Sequence, residues 1–168
     1  MLQTVDIEGP IYIRLGKGGD PIVSRDDLAC TIGKAIPMRE GKDALLITTG
    51  VCLQVTLAAA EALAAKGIQA CVLHLHTIKP IDKEAILYRA KTANVIVTIE
   101  EHTVIGGLGS AVAELLAEAD LDQPKRFRRI GIPDVFPDQY GSQASLLARY
   151  GITPEKVVET VAELSGNP

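Results

Sequence analysis

The chain reads as an α/β protein, a mostly parallel sheet covered by helices on both faces. Short apolar runs at 44–48, 70–75 and 95–99 carry almost no polar alternation, as strands buried on both sides do. Helical patterns of about ten to fifteen residues alternate with them, the rhythm of strand–helix–strand units. The length of 168 residues and a hydrophobic share of 47% supply a core of ordinary size for one domain, with room for a fragment of another.

Taken in order, Gly9-Pro10 is a turn and Ile11 to Leu15 reads as a short strand, broken by Gly16, Gly18 and Gly19. Residues 20–30 read as a linker. Lys34 to Arg39 reads as a weak strand, at an edge of the sheet or at a bulge, the two places where Pro37, which lacks an amide hydrogen, is tolerated. Ala44 to Thr48 is a buried strand. Cys52 to Lys66 is a helix with Leu53, Leu57, Ala60 and Leu63 on one face, stopped by Gly67. Ala70 to Leu75 is the next strand. Asp82 caps a helix running through Ala90. Val95 to Ile99 is a third buried strand, Gly107 to Ala119 a helix, and Phe127 to Ile130 a fourth strand. Gln143 to Tyr150 and Pro154 to Leu164 are closing helices, with Pro154 early in its helix, where a missing amide hydrogen costs nothing. The first 24 residues stand outside this rhythm, so the expected division is a remnant of a preceding domain at 1–24 and the α/β domain at 25–168.

Composition narrows the function. A net charge of −4 and 4% aromatic residues argue against a nucleic-acid binder. The basic run Lys125, Arg126, Arg128, Arg129 reads as a solvated strand edge. Cys30, Cys52 and Cys71 have no metal or disulfide spacing and read as buried free thiols of a reducing cytoplasm. His74 and His76 share a strand face while Cys71 points the other way, which argues against a shared metal. No signal core or membrane-length apolar run is present, so a soluble, cytoplasmic protein is expected.

The chemistry-bearing stretch is Val95 to Leu116. A buried strand runs into Glu100-Glu101-His102, and Gly106-Gly107-Leu108-Gly109-Ser110 then opens a helix. In an open α/β sheet such a transition lies at the carboxyl end of a strand, where ligands and partners are met. Paired carboxylates can split acid and base roles. The plainer reading, which we favour, is that one caps the following turn and the other makes an inter-domain salt bridge. His102 reads as a hydrogen-bonded surface or interface histidine, with pH sensitivity as the alternative. Gly106 and Gly107 offer helix-start amides for an anion, although the dinucleotide fingerprint is incomplete and close packing explains the glycines as well. Lys79 reads as an interface or ion-pair lysine.

Four stretches resemble one enzyme family. Gly9-Pro10-Ile11-Tyr12-Ile13-Arg14-Leu15-Gly16-Lys17 is similar to its G-P-V-Y-L-R-L-G-R. His76-Thr77-Ile78-Lys79-Pro80-Ile81-Asp82 is similar to M-H-T-I-K-P-L-D. Glu100-Glu101-His102 with Gly106-Gly107-Leu108-Gly109 is similar to V-E-E-H-x-x-x-G-G-L-G. Gly131-Ile132-Pro133-Asp134-Val135-Phe136 and Leu147 to Ile152 are similar to G-I-P-D-x-F and L-L-x-K-Y-G-L. The chain thereby resembles the C-terminal section of transketolases, above all the split kind in which two polypeptides make the enzyme. Deoxyxylulose phosphate synthases and 2-oxoacid dehydrogenase beta subunits share the wider pattern.

The resemblance implies a three-layer α/β/α domain on a five-stranded mixed sheet with one antiparallel strand. It implies thiamine diphosphate and magnesium in the intact enzyme, and transfer of a two-carbon ketol unit between sugar phosphates of pentose phosphate type. Implied partners are the N-terminal and pyrimidine-binding domains or subunit, in a dimer or heterotetramer. Lys17 aligns with a family arginine that binds the substrate phosphate, with Arg14 as a neighbouring alternative. Lysine supplies the charge without the two-pronged fork. The family's activating glutamate and its Gly-Asp-Gly…Asn metal element have no counterpart here, and Gly18-Gly19-Asp20 is not that element. The lone chain is therefore expected to bind no cofactor and to be inactive. The rival reading is a free-standing α/β module that binds a small anion or nucleotide at Gly106 to Ser110.

Overall fold

The computed structural model describes residues 2–16, 19, 22–23 and 27–166. Five strands form one sheet in the order β1-β3-β2-β4-β5. These are β1 (Ile36–Arg39), β2 (Ala44–Thr48), β3 (Ala70–His74), β4 (Val95–Thr103) and β5 (Arg126–Ile132). The helices are α1 (Cys52–Ala65), α2 (Lys83–Thr92), α3 (Leu108–Glu118), α4 (Gln143–Arg149) and α5 (Pro154–Ser165). β2 pairs in parallel with β3 and β4, and β4 with β5. β1 runs antiparallel to β3 at the edge, with its register shift between Pro37 and Arg39. That is where an amide-free residue is tolerated.

β2 is buried from end to end because it lies mid-sheet between two helical layers. Leu46, Val97 and Ile99 face α1 and α5, where Leu53, Leu63, Val157 and Val161 meet them. Leu45, Ile47 and Ile96 face α2 and α3, against Ile86, Leu108, Val112 and Leu115. Each such side chain contributes about 1.5–3 kcal/mol on burial, so the two layers hold the sheet from both sides. Asp82 caps α2, accepting from the Ala85 amide at 3.2 Å, and its other oxygen accepts from the Ala35 amide at 2.9 Å. One carboxylate thus joins the helix start to the approach of β1. Arg89 on α2 forks onto Glu40, at 2.7 and 3.0 Å, and clamps the exit of β1.

Three expectations change. Residues 11–16 form no strand, because no other strand lies beside them among the described residues to pair their amides and carbonyls. β4 continues past Ile99 to Thr103, so the two glutamates and the histidine belong to the strand rather than follow it. Its extension pairs through Thr103 and Ile132 after a register shift. Cys30 is exposed, whereas Cys52 and Cys71 are buried. β5 is the other edge strand, and Arg126, Arg128 and Arg129 on it are exposed. No helix among the described residues is long and apolar enough to cross a membrane.

Candidate interface at the carboxyl end of the sheet

From β2 the chain winds outward to β3, and from β4 outward to β5, so the winding direction reverses between β2 and β4. The crevice outside the carboxyl ends of these two strands is where open α/β sheets meet ligands and partners. β4 fills it with alternating side chains. Glu100 and His102 point to one side of the strand and Glu101 to the other.

Glu100 is 0% exposed. A carboxylate at that depth requires hydrogen-bond donors, and the start of α3 supplies them. The Leu108 amide donates to its Oε2 at 2.8 Å and the Gly109 amide to its Oε1 at 2.8 Å. Gly107, the N-cap of α3, has no side chain of its own to accept these bonds. Glu100 replaces it from the neighbouring strand and places negative charge at the positive end of the helix. Two of the amides that an outside anion would use at Gly106 to Ser110, those of Leu108 and Gly109, therefore already hold a carboxylate. The Gly106 amide donates to Ser110 Oγ at 3.0 Å, and Ser110 Oγ donates to the Val104 carbonyl at 3.0 Å. Arg129 Nη1 reaches the same carbonyl at 2.6 Å. The loop is closed on itself.

Glu101 faces the α1/α5 layer and takes two partners. Arg14 Nη1 lies 2.8 Å from its Oε1, and Gln143 Nε2 donates to its Oε2 at 3.0 Å. Arg14 Nη1 also hydrogen-bonds His102 Nε2, and His102 Nδ1 sits 3.7 Å from Glu100 Oε2. A continuous chain of polar contacts thus runs from Arg14 through His102 and Glu100 to the first turn of α3. A groove of about 330 Å³ opens beside Glu101, lined by Ile132, Gln143, Leu146, Leu147, Tyr150 and Ile152. Below it, Cys52 is pushed up to about 12, first by burial and then by the charges of Glu101 and Glu100.

Of the residues singled out from sequence, Arg14, Glu100, Glu101 and His102 converge here, and Gly106 and Gly107 shape the turn around Glu100. Lys17 lies outside the described residues. Gln143 also joins the site, although no motif includes it. It is one polar residue at the start of an exposed helix, and nothing local marks it. Around this end the surface is apolar and open. Tyr12 is 89% exposed and Phe136 99%, with Leu15, Val135 and Tyr140 also exposed.

The Transketolase, C-terminal domain model matches residues 33–157. The 6-deoxy-6-sulfo-D-fructose transketolase subunit SqwH of Clostridium sp. (strain MSTE9) is 40% identical over 163 residues, covering 97% of this chain and 49% of that subunit. A 1-deoxy-D-xylulose-5-phosphate synthase of Desulforudis audaxviator is also 40% identical over 163 residues, covering 95% of this chain but 25% of the synthase. Among solved structures, a split gene transketolase described as an inactive beta4 tetramer superimposes with a TM-score of 0.88 at 39% identity, covering 98% of this chain and 53% of that one. The chain spans about half of the two split transketolase chains and a quarter of the synthase. Its motifs, sheet order and these matches agree, and the chain belongs to the transketolase C-terminal domain family.

Proposed function

We propose that this chain is the assembling portion of a cytoplasmic thiamine-dependent transketolase, one that moves a two-carbon ketol unit between sugar phosphates. The observation that carries this reading is the open apolar surface of Tyr12, Leu15, Phe136 and Tyr140 around a switch-point crevice whose own polar groups are already paired. Such a surface suits burial against other domains of the same enzyme. Residues 1–24 act as the tail of the preceding pyrimidine-binding domain, and Arg14 ties that tail to the domain at 25–168 through Glu101 and His102. Lys17, three positions further along the sequence, contacts the substrate phosphate in the assembled enzyme.

The residues present do not fit the cofactor. Among the described residues no three His, Cys, Asp or Glu side chains group as a metal ion requires. Glu100 is held by two amides, and Glu101 by Arg14 and Gln143. Thiamine diphosphate and magnesium therefore belong to the partner domains, and no chemical step is assigned to this chain.

Co-expression with a partner carrying the N-terminal and pyrimidine-binding portions tests the proposal. The expected result is a stable co-purified oligomer that transfers ketol units from a ketose phosphate to an aldose phosphate, and that Lys17→Ala weakens through KM. A chain that does not associate with any such partner overturns it. Condensation of pyruvate with a triose phosphate in place of ketol transfer would instead assign the chain to the synthase branch, to which it is equally similar.

A further inference from the structure

Away from this crevice, the turn after β3 carries a second group of reactive side chains. Cys30 Sγ lies 3.6 Å from His76 Nε2. The other ring nitrogen, Nδ1, lies 3.0 Å from Thr77 Oγ1. With the hydrogen on Nδ1, the ring donates to Thr77 and its Nε2 lone pair faces the thiol. Nucleophile, base and orienting group thus stand in line, the spatial order that activated thiols use. Cys30 is also held in place. Gln3 Nε2 donates to its carbonyl at 2.6 Å, and Gln3 Oε1 accepts from the Ile32 amide at 2.9 Å.

We propose that Cys30 is a thiol–disulfide exchange site for low-molecular-weight disulfides, with His76 as its base and Thr77 as the residue that positions the ring. In the step, His76 Nε2 takes the thiol proton and the Cys30 sulfur attacks one sulfur of the disulfide. A new S–S bond forms to Cys30 as the old one breaks, and the departing thiolate takes the proton back from His76. The incoming disulfide is the only oxidant, so electrons balance.

Selectivity follows from the surroundings of the three thiols. Cys52 and Cys71 are buried, and burial is the first cause that holds each above the ordinary thiol range. Cys30 alone among the three is exposed. The nearest other imidazole, His74, has its ring centroid 6.4 Å from that of His76. Burial keeps His74 down at about 4, so at neutral pH it adds no positive charge beside His76. A mixed disulfide at Cys30 would place a bulky charged group between residues 2–4 and the turn after β3, at the approach to β1.

The test uses the whole chain, oxidised glutathione as the probe, and peptide mass spectrometry to locate the adduct. We expect Cys30 to be modified first, His76→Ala to slow the reaction by about tenfold or more, and added free imidazole to restore part of the rate. Thr77→Ala, a milder change, should slow it severalfold and keeps the test open should His76→Ala fail to fold. Modification of Cys52 or Cys71 as early as Cys30 overturns the proposal, as does an unchanged rate in folded His76→Ala or Thr77→Ala. A slowed His76→Ala that imidazole does not restore makes His76 a purely structural neighbour, and the base assignment falls.

Discussion

Glu100 occupies the space that a side chain at residue 107 would need. A Cβ built on Gly107 would lie 2.0 Å from Glu100 Oε2 and 2.9 Å from the Thr103 carbonyl. The glycine is there so that a carboxylate from the neighbouring strand can reach the first amides of α3, and the two residues act as one device.

Gly107→Ala should destabilise the domain by about 3 kcal/mol, since Glu100 is held by two amides and has nowhere to go. Glu100→Gln should cost about 2 kcal/mol, because its NH₂ would face an amide donor. In the Glu100→Ala background the second change, Gly107→Ala, should cost clearly less, with a coupling of more than about 1 kcal/mol. Urea unfolding of the four proteins in the cycle measures this. Additive effects would mean that the two residues are independent.

Arg14→Gln should leave global stability almost unchanged, within about 1 kcal/mol, since exposed ion pairs are weak. Its local effect should be large. The 11–16 segment has no sheet pairing of its own, and its described anchors are Glu101 and His102. Limited proteolysis should cut there faster in the variant, with the remaining domain intact. Equal cleavage of both proteins would show that the tie does not matter.

Asp82→Ala removes an acceptor from two amides, Ala85 and Ala35. We expect a loss of about 2 kcal/mol, the helix cap supplying about half. Hydrogen exchange should speed up both at the start of α2 and at the approach to β1. Faster exchange at α2 alone would mean that the second bond contributes nothing.

His74 sets a pH dependence. Its imidazole falls from the ordinary 6.5 to about 4, first through burial and then through His76. Between those values the unfolded chain binds a proton that the folded chain refuses. Stability should therefore fall as pH drops from about 6.5 to about 4 and be free of this loss above 6.5. Each unit of separation is worth about 1.4 kcal/mol at most. Glu40, held below the usual carboxylate range by its hydrogen bond to Arg89, acts in the same direction at lower pH. His74→Gln should flatten the slope between pH 4 and 6.5 without changing the stability lost through Glu40. An identical slope in both proteins would place its source elsewhere.

The mostly parallel sheet, the kind and order of its helices, the edge or bulge at Pro37 and the caps at Asp82 and Gly67 are legible along the chain. These follow from apolar spacing and from residues that act within a turn of where they stand. Family membership was legible for the same reason, since its motifs are short and contiguous. It takes the folded chain to bring Glu100 back to the amides of Leu108 and Gly109, Arg14 across to Glu101 and His102, and an exposed Cys30 against His76. Each of these depends on which strand ends lie side by side once the sheet has formed. Periodicity reveals which face a residue takes, but the partner across the gap is chosen by topology.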